Sequence, residues 1–120
     1  MPGGAVNLAQ KLSLFDELFA PKIVGYFNDC KLVVGKIKGE FVWHSHPDTD
    51  DFFLVLKGRL TIQLRDREDV VLNEGELFVV PAGVEHCPRA EEETHILLIE
   101  PRGTPNTGDS GAAAAAEVEI

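Results

Sequence analysis

Two histidines and two carboxylates stand close together in the chain, and their side chains could hold a metal ion. His44 and His46 are separated by one residue, and Asp50 and Asp51 follow. Side chains of an extended strand alternate between its faces, so the two imidazoles would point the same way from Cα atoms about 6.6 Å apart. Both could lean onto one ion at roughly 2.0–2.1 Å per nitrogen. With a carboxylate from the next strand as a third ligand, this spacing favours a metal site built from strands.

A third histidine ends a second segment of the chain. Residues Gly75–His86 have the pattern of a turn, a strand, a tight turn and the start of another strand. Pro81 fixes φ in the tight turn, and Gly83 can adopt the positive φ that other residues avoid. A lone His-x-His pair is weak support for a metal site, but this segment is predicted to aim His86 inward from a different strand.

Short apolar and β-branched runs that could carry these residues fill the middle of the chain. Turn residues such as Gly, Pro, Asn and Asp separate these runs. Many short strands with turns every 8–12 residues or so predict an all-β sandwich or barrel. The predicted strands are Lys22–Phe27, Lys31–Lys38, Glu40–His46, Asp51–Lys57, Arg59–Asp66, Asp69–Leu72, Glu76–Val80, Glu85–Arg89 and Thr94–Glu100.

The two ends of the chain differ from this body. Residues 1–6 look like a loose leader, and two short helices are predicted, from Leu8 to about Leu12 with Asn7 as cap and from Leu14 to about Phe19 with Ser13 as cap. The C-terminal residues, rich in Gly, Pro and Ala, have little to bury by themselves. A functionless terminus is the favoured interpretation, although this tail could fold back or join a partner. The predicted units are a helical segment (1–21), a β-barrel (22–102) and a tail (103–120).

Composition and charge exclude several classes of function. The 120 residues suffice for one domain, and the formal net charge of −9 argues against nucleic-acid partners, which are bound mainly by basic residues. The sequence has no apolar run of about 18 residues, so no membrane span is predicted. It also lacks the features of a signal peptide. Cys30 and Cys87 have no metal-binding spacing with each other, and reduced thiols in a cytoplasmic protein are a simpler interpretation than a disulfide.

Two motifs in the correct order resemble those of the cupin superfamily. The first, Gly-x5-His-x-His-x3,4-Glu-x6-Gly, is matched by Gly39, His44, His46, Asp51 and Gly58, with four residues before His44 and an aspartate in place of glutamate. The second, Gly-x5-Pro-x-Gly-x2-His-x3-Asn, is matched by Gly75, Pro81, Gly83 and His86, with Ala90 in place of asparagine. The resemblance covers about residues 30–100, and it is closest to small bacterial cupins of the mannose-6-phosphate isomerase-like type.

This resemblance implies a fold, a ligand set and an oligomeric state. The fold would be a cupin-type antiparallel jelly-roll β-barrel with a short N-terminal helical segment, commonly as a homodimer. The implied ligands of one divalent ion (Zn, Mn, Fe, Ni or Co) are His44, His46, Asp51 and His86, a donor set that suits transition metals. Aspartate is one methylene shorter than glutamate, so a bridging water or a switch to Asp50 stays open. Asp51 is preferred because Asp50 would face the opposite side of the strand.

The leading function hypothesis is a metal-dependent enzyme that acts on a small polar molecule inside the barrel. Isomerase, lyase and dioxygenase chemistry all fit a bound ion. Beyond the ligands no general base is evident, and Asp50 and Glu85 are the candidates. The alternative is a non-catalytic cupin that binds or senses a small ligand. Structural roles are predicted for Trp43, Cys87 and His95.

Overall fold

The computed structural model describes residues 4–120, which form an antiparallel β-barrel. Its elements are α1 (Leu8–Leu12), β1 (Lys22–Phe27), β2 (Cys30–Glu40), β3 (Asp51–Lys57), β4 (Leu60–Leu64), β5 (Val70–Leu72), β6 (Leu77–Val80), β7 (His86–Pro101) and β8 (Val118–Glu119). The predicted all-β class is confirmed, whereas residues 1–3 of the predicted leader lie outside the described part. Within residues 4–120, no helix is long and apolar enough to cross a membrane.

The long strand β7 organises the barrel. It pairs with β2 along most of its length, while its other edge pairs first with β4 and then with β3. Between the two halves the register with β2 shifts, because Ala90 lies opposite Gly39 whereas Thr94 lies opposite Ile37. Three residues of β7, 91–93, therefore lie opposite a single residue of β2, and these exposed residues bulge outward. Such a bulge bends the strand and increases its twist. The prediction of two separate strands, Glu85–Arg89 and Thr94–Glu100, was therefore wrong, because one bent strand serves both parts of the sheet.

Along β3 and β4 every second side chain points into the barrel, and the site residue Asp51 is one of these. Asp51, Phe53 and Val55 are the buried positions of β3, as expected for side chains two residues apart. Leu60, Ile62 and Leu64 of β4 follow the same pattern. The apolar core is completed by Ile37, Leu72, Val80, Ala90 and Ile96. Asp51 thus shares its face with the core of the barrel.

The N-terminal segment is helical only in its first part. Helix α1 has the predicted bounds, and the side chain of Asn7 caps it. The predicted second helix, Leu14 to Phe19, is absent from the described chain. Its backbone bonds to β2 instead: Phe15 O accepts from Lys36 Nζ at 2.5 Å, and Phe19 N donates to Lys36 O at 2.8 Å. These tertiary contacts replace the intrahelical bonds that the apolar spacing suggested.

The predicted strand Glu40–His46 is also absent as a regular element. Strand β2 ends at Glu40, after a register shift and a positive φ of 92° at Gly39. Beyond that point the segment makes a single β-bridge, between His44 and His86. The glycine and the bulge turn the chain away from the path of β2, so its ladder of hydrogen bonds does not continue.

The C-terminal tail folds back over the barrel, an arrangement that the sequence left open. Strand β8 pairs in parallel with β1. The ammonium group of Lys31 on β2 forms an ion pair with Glu117 and donates to Thr104 O at 2.8 Å. Because Lys31 and Glu117 are both largely buried, these contacts attach the tail firmly to the barrel.

Candidate metal centre

The four side chains predicted as ligands meet at one place inside the barrel. His44, His46, Asp51 and His86 each offer one ligand atom, and these atoms all lie within 4.8 Å of one another. Each of the four residues is at most 4% exposed. Asp51 and His86 begin strands β3 and β7, whereas the other two histidines lie on the irregular segment between β2 and β3. Three parts of the chain therefore converge on the cluster.

Asp51 lies at the centre of the cluster. Its Oδ2 is 3.2 Å from the Nε2 atoms of both His46 and His86. The ring of His44 completes the group, with its centroid 4.4 Å from that of His86 and 5.0 Å from that of His46. Asp51 Oδ1 is buried and has no hydrogen-bond partner in the described residues, and His46 Nε2 lies close to Asp51 Oδ2 without hydrogen-bonding geometry. Polar atoms therefore converge here with only part of their hydrogen-bonding capacity used.

Backbone carbonyls orient two of the imidazole rings. Nδ1 of His44 lies 2.8 Å from Val42 O, and Nδ1 of His86 lies 2.9 Å from Val84 O. A carbonyl only accepts, so each Nδ1 carries the proton and donates it. In a neutral ring the lone pair is then on Nε2, the atom that points to the interior, and Nε2 of His86 lies 3.2 Å from Asp51 Oδ2. An Nδ1 bonded to a carbonyl, with Nε2 left for the ion, is the usual outer-shell arrangement of metal-binding histidines.

Electrostatics favour the protonation states that a metal ion requires at His44 and Asp51, whereas at His46 the contact with Asp51 outweighs burial and raises the pKa above its ordinary value. Burial lowers the pKa of His44 to about 4, so its imidazole is neutral at pH 7. Burial raises the pKa of Asp51, but the contacts with His46 and His86 outweigh burial and hold this pKa below its ordinary value. Metal ligation needs neutral imidazoles and an ionised carboxylate. The donor set of three imidazoles and one carboxylate fits a divalent transition metal.

An apolar cavity adjoins the cluster, with His44 and Asp51 at its wall. Phe19 and Phe41 stack with ring centroids 5.7 Å apart, and the edge of Phe41 meets the ring of His44. The cavity is also lined by four larger apolar side chains, Ile37, Phe53, Ile96 and Leu98. This arrangement suits a small, flat and largely apolar molecule beside the cluster.

Glu100 is a buried acid in the wall of this cavity that the sequence analysis missed. It is 2% exposed, and its Oε1 has no hydrogen-bond partner in the part of the chain that the structure describes. Burial, together with the negative charge of Asp51, raises its pKa to about 8. Thr94, Ile96 and Glu100 are the buried positions on this half of β7, separated by even numbers of residues. The alternation of the strand could therefore have revealed an acid facing inward.

A contact with the tail also escaped the sequence analysis. Ser45, between the two histidines, donates from its backbone N to Asp109 Oδ1 at 2.7 Å and from its Oγ to Asp109 Oδ2 at 2.8 Å. The two residues are 64 positions apart. The sequence contains no local pattern that relates them, so only the folded chain reveals the contact.

Two candidate acids from the sequence lie outside the cluster. Asp50 Oδ1 accepts a hydrogen bond from Ala82 N at 2.9 Å, and this exposed side chain caps the turn before Gly83. Glu85 forms an exposed ion pair with Arg65, with 2.6 Å between Oε1 and Nε. Neither carboxylate belongs to the group of converging ligand atoms, whereas Asp51 does.

Three other residues have the surroundings expected of structural positions. The ring of Trp43 is covered by the guanidinium of Arg65, 4.2 Å from its centroid. His95 Nε2 lies 2.8 Å from a carboxylate oxygen of Glu93, away from the cluster. Cys87 is fully buried, and burial raises the pKa of its thiol to about 11. No disulfide links it to Cys30 in residues 4–120.

The matches between this chain and known proteins agree on one family. The cupin domain family matches residues 31–100. A cupin-2 domain containing protein from Shewanella frigidimarina has 45% identity and a TM-score of 0.79, over 81% of this chain and 94% of its own. The uncharacterized protein YdbB of Bacillus subtilis is 37% identical over 94 residues, which are 78% of this chain and 83% of YdbB.

An enzyme with a named activity is also among the relatives. The 3-hydroxyanthranilate 3,4-dioxygenase of Brucella anthropi is 34% identical over 84 residues. The match covers 62% of this chain and 46% of the enzyme, so the chain spans less than half the length of this relative. The family match and the Shewanella structure together confirm the predicted jelly-roll fold. On the strength of the two motifs, the antiparallel barrel and these relatives, the chain belongs to the cupin family.

Proposed function

We propose that this cupin is a metal-dependent enzyme of the dioxygenase type that opens the ring of a small aromatic molecule. In this proposal His44, His46, Asp51 and His86 bind one divalent transition metal ion. The observation that carries the proposal is the buried cluster in which Asp51 Oδ1 and His46 Nε2 have no hydrogen-bond partner among the described residues. An unpaired buried polar atom costs about 1–3 kcal/mol, and a bound cation would remove that cost.

Two observations favour the dioxygenase type over isomerase or lyase chemistry. The relatives with a named activity include the 3-hydroxyanthranilate 3,4-dioxygenase of Brucella anthropi. In addition, the cavity beside the cluster has walls of aromatic and branched apolar side chains, among them Phe41, Phe53 and Ile96. Such walls suit a planar ring better than the small polar molecule that the sequence suggested.

The reaction would join dioxygen to the ring. One ring carbon–carbon bond breaks and both oxygen atoms enter the product, so dioxygen is the only oxidant needed. When bound, the ion would supply a Lewis acid for the ring substituents, and iron would also supply redox chemistry with dioxygen. The apolar walls hold the ring against the cluster and exclude water. Phe41, which packs edge-on against His44, would contact both the ring and a ligand.

Glu100 is the proposed proton acceptor of the site. Glu100 lines the cavity, and its Oε1 has no hydrogen-bond partner among the described residues. In this proposal a hydroxyl or amino group of the substrate bonds to it. A general acid–base group works best when its pKa lies near the working pH. In the absence of an ion, burial and the charge of Asp51 raise the pKa of Glu100 to about 8, and a bound cation would lower it from there. If Glu100 accepts a proton from the substrate, the substrate atom that loses the proton would become a stronger ligand for the ion. The substrate class is therefore an aromatic ring with at least one hydroxyl or amino group that carries a proton.

Oxygen uptake tests this function. The protein, purified without a histidine tag, is loaded with Fe²⁺ under nitrogen and mixed with 2-aminophenols, catechols and hydroquinones in aerated buffer. We expect consumption of one dioxygen per molecule of substrate lost with at least one compound class. The same protein loaded with redox-silent Zn²⁺ is the control and should consume none. Tight binding without oxygen uptake for all three classes would instead support the non-catalytic cupin.

A sugar phosphate, which the mannose-6-phosphate isomerase-like type would suggest, fits the cavity less well. Of the described residues that line it, Lys36 alone has a cationic side chain. Its Nζ already donates to Phe15 O at 2.5 Å and lies 4.9 Å from the centroid of the Phe15 ring. A phosphate group would therefore meet apolar walls and the carboxylates of Asp51 and Glu100. This arrangement supports an aromatic substrate.

A cytoplasmic homodimer remains part of the proposal. In the described sheet β6 pairs with β3 alone, which leaves its other edge open. Leu77 and Val79 on this strand are 55% and 40% exposed. An open edge with exposed apolar residues is commonly covered by pairing with another chain. The free thiols of Cys30 and Cys87 fit a reducing compartment.

A further inference from the structure

We propose that residues 104–111, here called the C-terminal strap, are part of the metal centre and position the two histidines of the His44-Ser45-His46 sequence. The proposal rests on the metal site proposed above, and it assigns a role to a segment outside both cupin motifs. The strap would act through Asp109 and Gly108. Both are positioning residues, because they contact the ligand segment and not the ion.

The strap completes the hydrogen bonding of the ligand segment. On one side, the backbone of His44 exchanges two hydrogen bonds with His86, at 2.9 and 2.8 Å. On the other side, Asp109 is the one hydrogen-bond partner of Ser45 among residues 4–120. The N and Oγ of Ser45 donate to the carboxylate, and Asp109 N donates to Ser45 O at 3.0 Å. Asp109 thus takes the place of a neighbouring strand for one residue. With both sides bonded, the side chains before and after Ser45 are fixed in direction.

Gly108 brings the strap against a ligand ring. A Cβ atom at this position would lie 2.3 Å from Ser45 O and 2.8 Å from Cδ2 of His44, far inside contact distance. The residue also has a positive φ of 54°. Only glycine allows the backbone to approach so closely. The His44 ring is therefore confined by the strap, by the edge of Phe41 and by the carbonyl that accepts from its Nδ1.

The other end of the tail is attached to the barrel, so the strap has a firm support. Asn106 Nδ2 donates to Ala115 O at 2.9 Å and to Glu117 Oε2 at 3.0 Å. Glu117 in turn forms the buried ion pair with Lys31 of β2. Thr107, 4% exposed, donates from Oγ1 to Ala112 O at 3.0 Å. These contacts hold Asp109 in place independently of the metal centre.

Substitution of Asp109 tests this role through metal affinity. The dissociation constant of Co²⁺ is measured by competition with a chromophoric chelator, together with the visible spectrum of bound Co²⁺ and the melting temperature of the metal-free protein. We expect Asp109→Ala to weaken Co²⁺ binding about 10–100-fold, as is typical for loss of a partner that orients a ligand. The spectrum should change as well, because the ligand geometry changes. Ser45→Ala, which removes only the Oγ bond, should give a smaller loss in the same direction.

Two variants separate positioning from charge. Asp109→Asn removes the same charge as Asp109→Ala but keeps an acceptor for Ser45 N, so it should retain most of the affinity. Asp48→Ala removes an exposed acid two residues after His46 and should bind Co²⁺ like the wild type. If Asp109→Ala does not fold, Ser45→Ala takes its place as the test. Weaker Co²⁺ binding in Ser45→Ala would then support the positioning role, and wild-type affinity would overturn it.

Three outcomes would overturn the strap proposal. One is wild-type affinity in Asp109→Ala, even with a lower melting temperature, since the strap would then serve folding alone. Another is an equal loss in Asp109→Asn and Asp109→Ala, which would make charge the cause. The third is a wild-type protein that binds no Co²⁺. That result would contradict the metal site on which the strap proposal rests. It is distinguished from the first two outcomes because it is seen in the wild-type protein, without any variant.

Discussion

Replacing His86 by alanine is expected to release the metal ion while the barrel stays folded. The substitution removes the one ligand that β7 provides, and three donors remain on two other parts of the chain. Loss of an outer-shell partner already costs 10–100-fold in affinity, so loss of a ligand should weaken binding by more than about 100-fold. The backbone bridge between residues 44 and 86 does not involve the imidazole. Metal content after dialysis and far-UV circular dichroism measure the two effects.

His95→Ala is the matched control for this variant. His95 lies on the same strand, and its ring contacts Glu93 outside the cluster. It should keep the metal content of the wild type. Equal metal content in both variants and in the wild type would contradict the assignment of His86 as a ligand.

Glu100→Gln is expected to abolish most of the activity without loss of the ion. Glutamine has nearly the shape of glutamate but cannot accept the proton of the substrate, and general acid–base catalysis contributes about 10²–10⁴-fold. Glu100 is not among the converging ligand atoms, so the metal content should stay at the wild-type level. Turnover numbers and metal analysis of the same samples check both parts. A variant with full turnover would remove Glu100 from the proposed chemistry.

The same variant should change how stability depends on pH in the metal-free protein. Burial and the charge of Asp51 raise the pKa of Glu100 from an ordinary 4.5 to about 8 in the folded state. Between these values the folded chain binds more protons than the unfolded chain, so the free energy of unfolding falls as pH rises. Each unit of pKa difference corresponds to about 1.4 kcal/mol.

Urea unfolding at pH 5 and pH 8.5 measures this dependence. The loss of stability between the two values should be markedly larger in the wild type than in Glu100→Gln, because the amide does not titrate. Identical losses in the two proteins would mean that Glu100 is ionised in the folded chain at neutral pH. The proposed proton acceptor would then lack its tuned pKa.

Much of the barrel could be predicted because local patterns and core packing agree. Strands β1 and β3 have the predicted bounds, since their apolar runs are followed by turn residues that accept positive φ, Asn28 at 53° and Gly58 at 93°. The turn before His86 also behaves as predicted, with a φ of 81° at Gly83. The cluster of three histidines and Asp51 was predicted for the same reason. Two motifs carry the residues, and the barrel brings the motifs together.

The errors arise where distant contacts override the local pattern. Residues 14–19 have helical spacing but bond to Lys36, and residues 41–46 have strand-like residues but a single bridge to His86. The histidines meet even so, because Ser45 is fixed by Asp109 from the tail. Nothing near Asp109 in the sequence suggests this contact, and its bonds depend on the complete fold.

The metal content of the wild-type protein tests the central claim most directly. Protein produced without a histidine tag is analysed by mass spectrometry for transition metals, as purified and after reconstitution with Fe²⁺, Zn²⁺ or Mn²⁺ followed by gel filtration. We predict about one divalent ion per chain, because a complete set of three imidazoles and a carboxylate should retain its ion. A content below about 0.2 ion per chain after reconstitution with each metal would contradict the metal centre on which the proposed function depends.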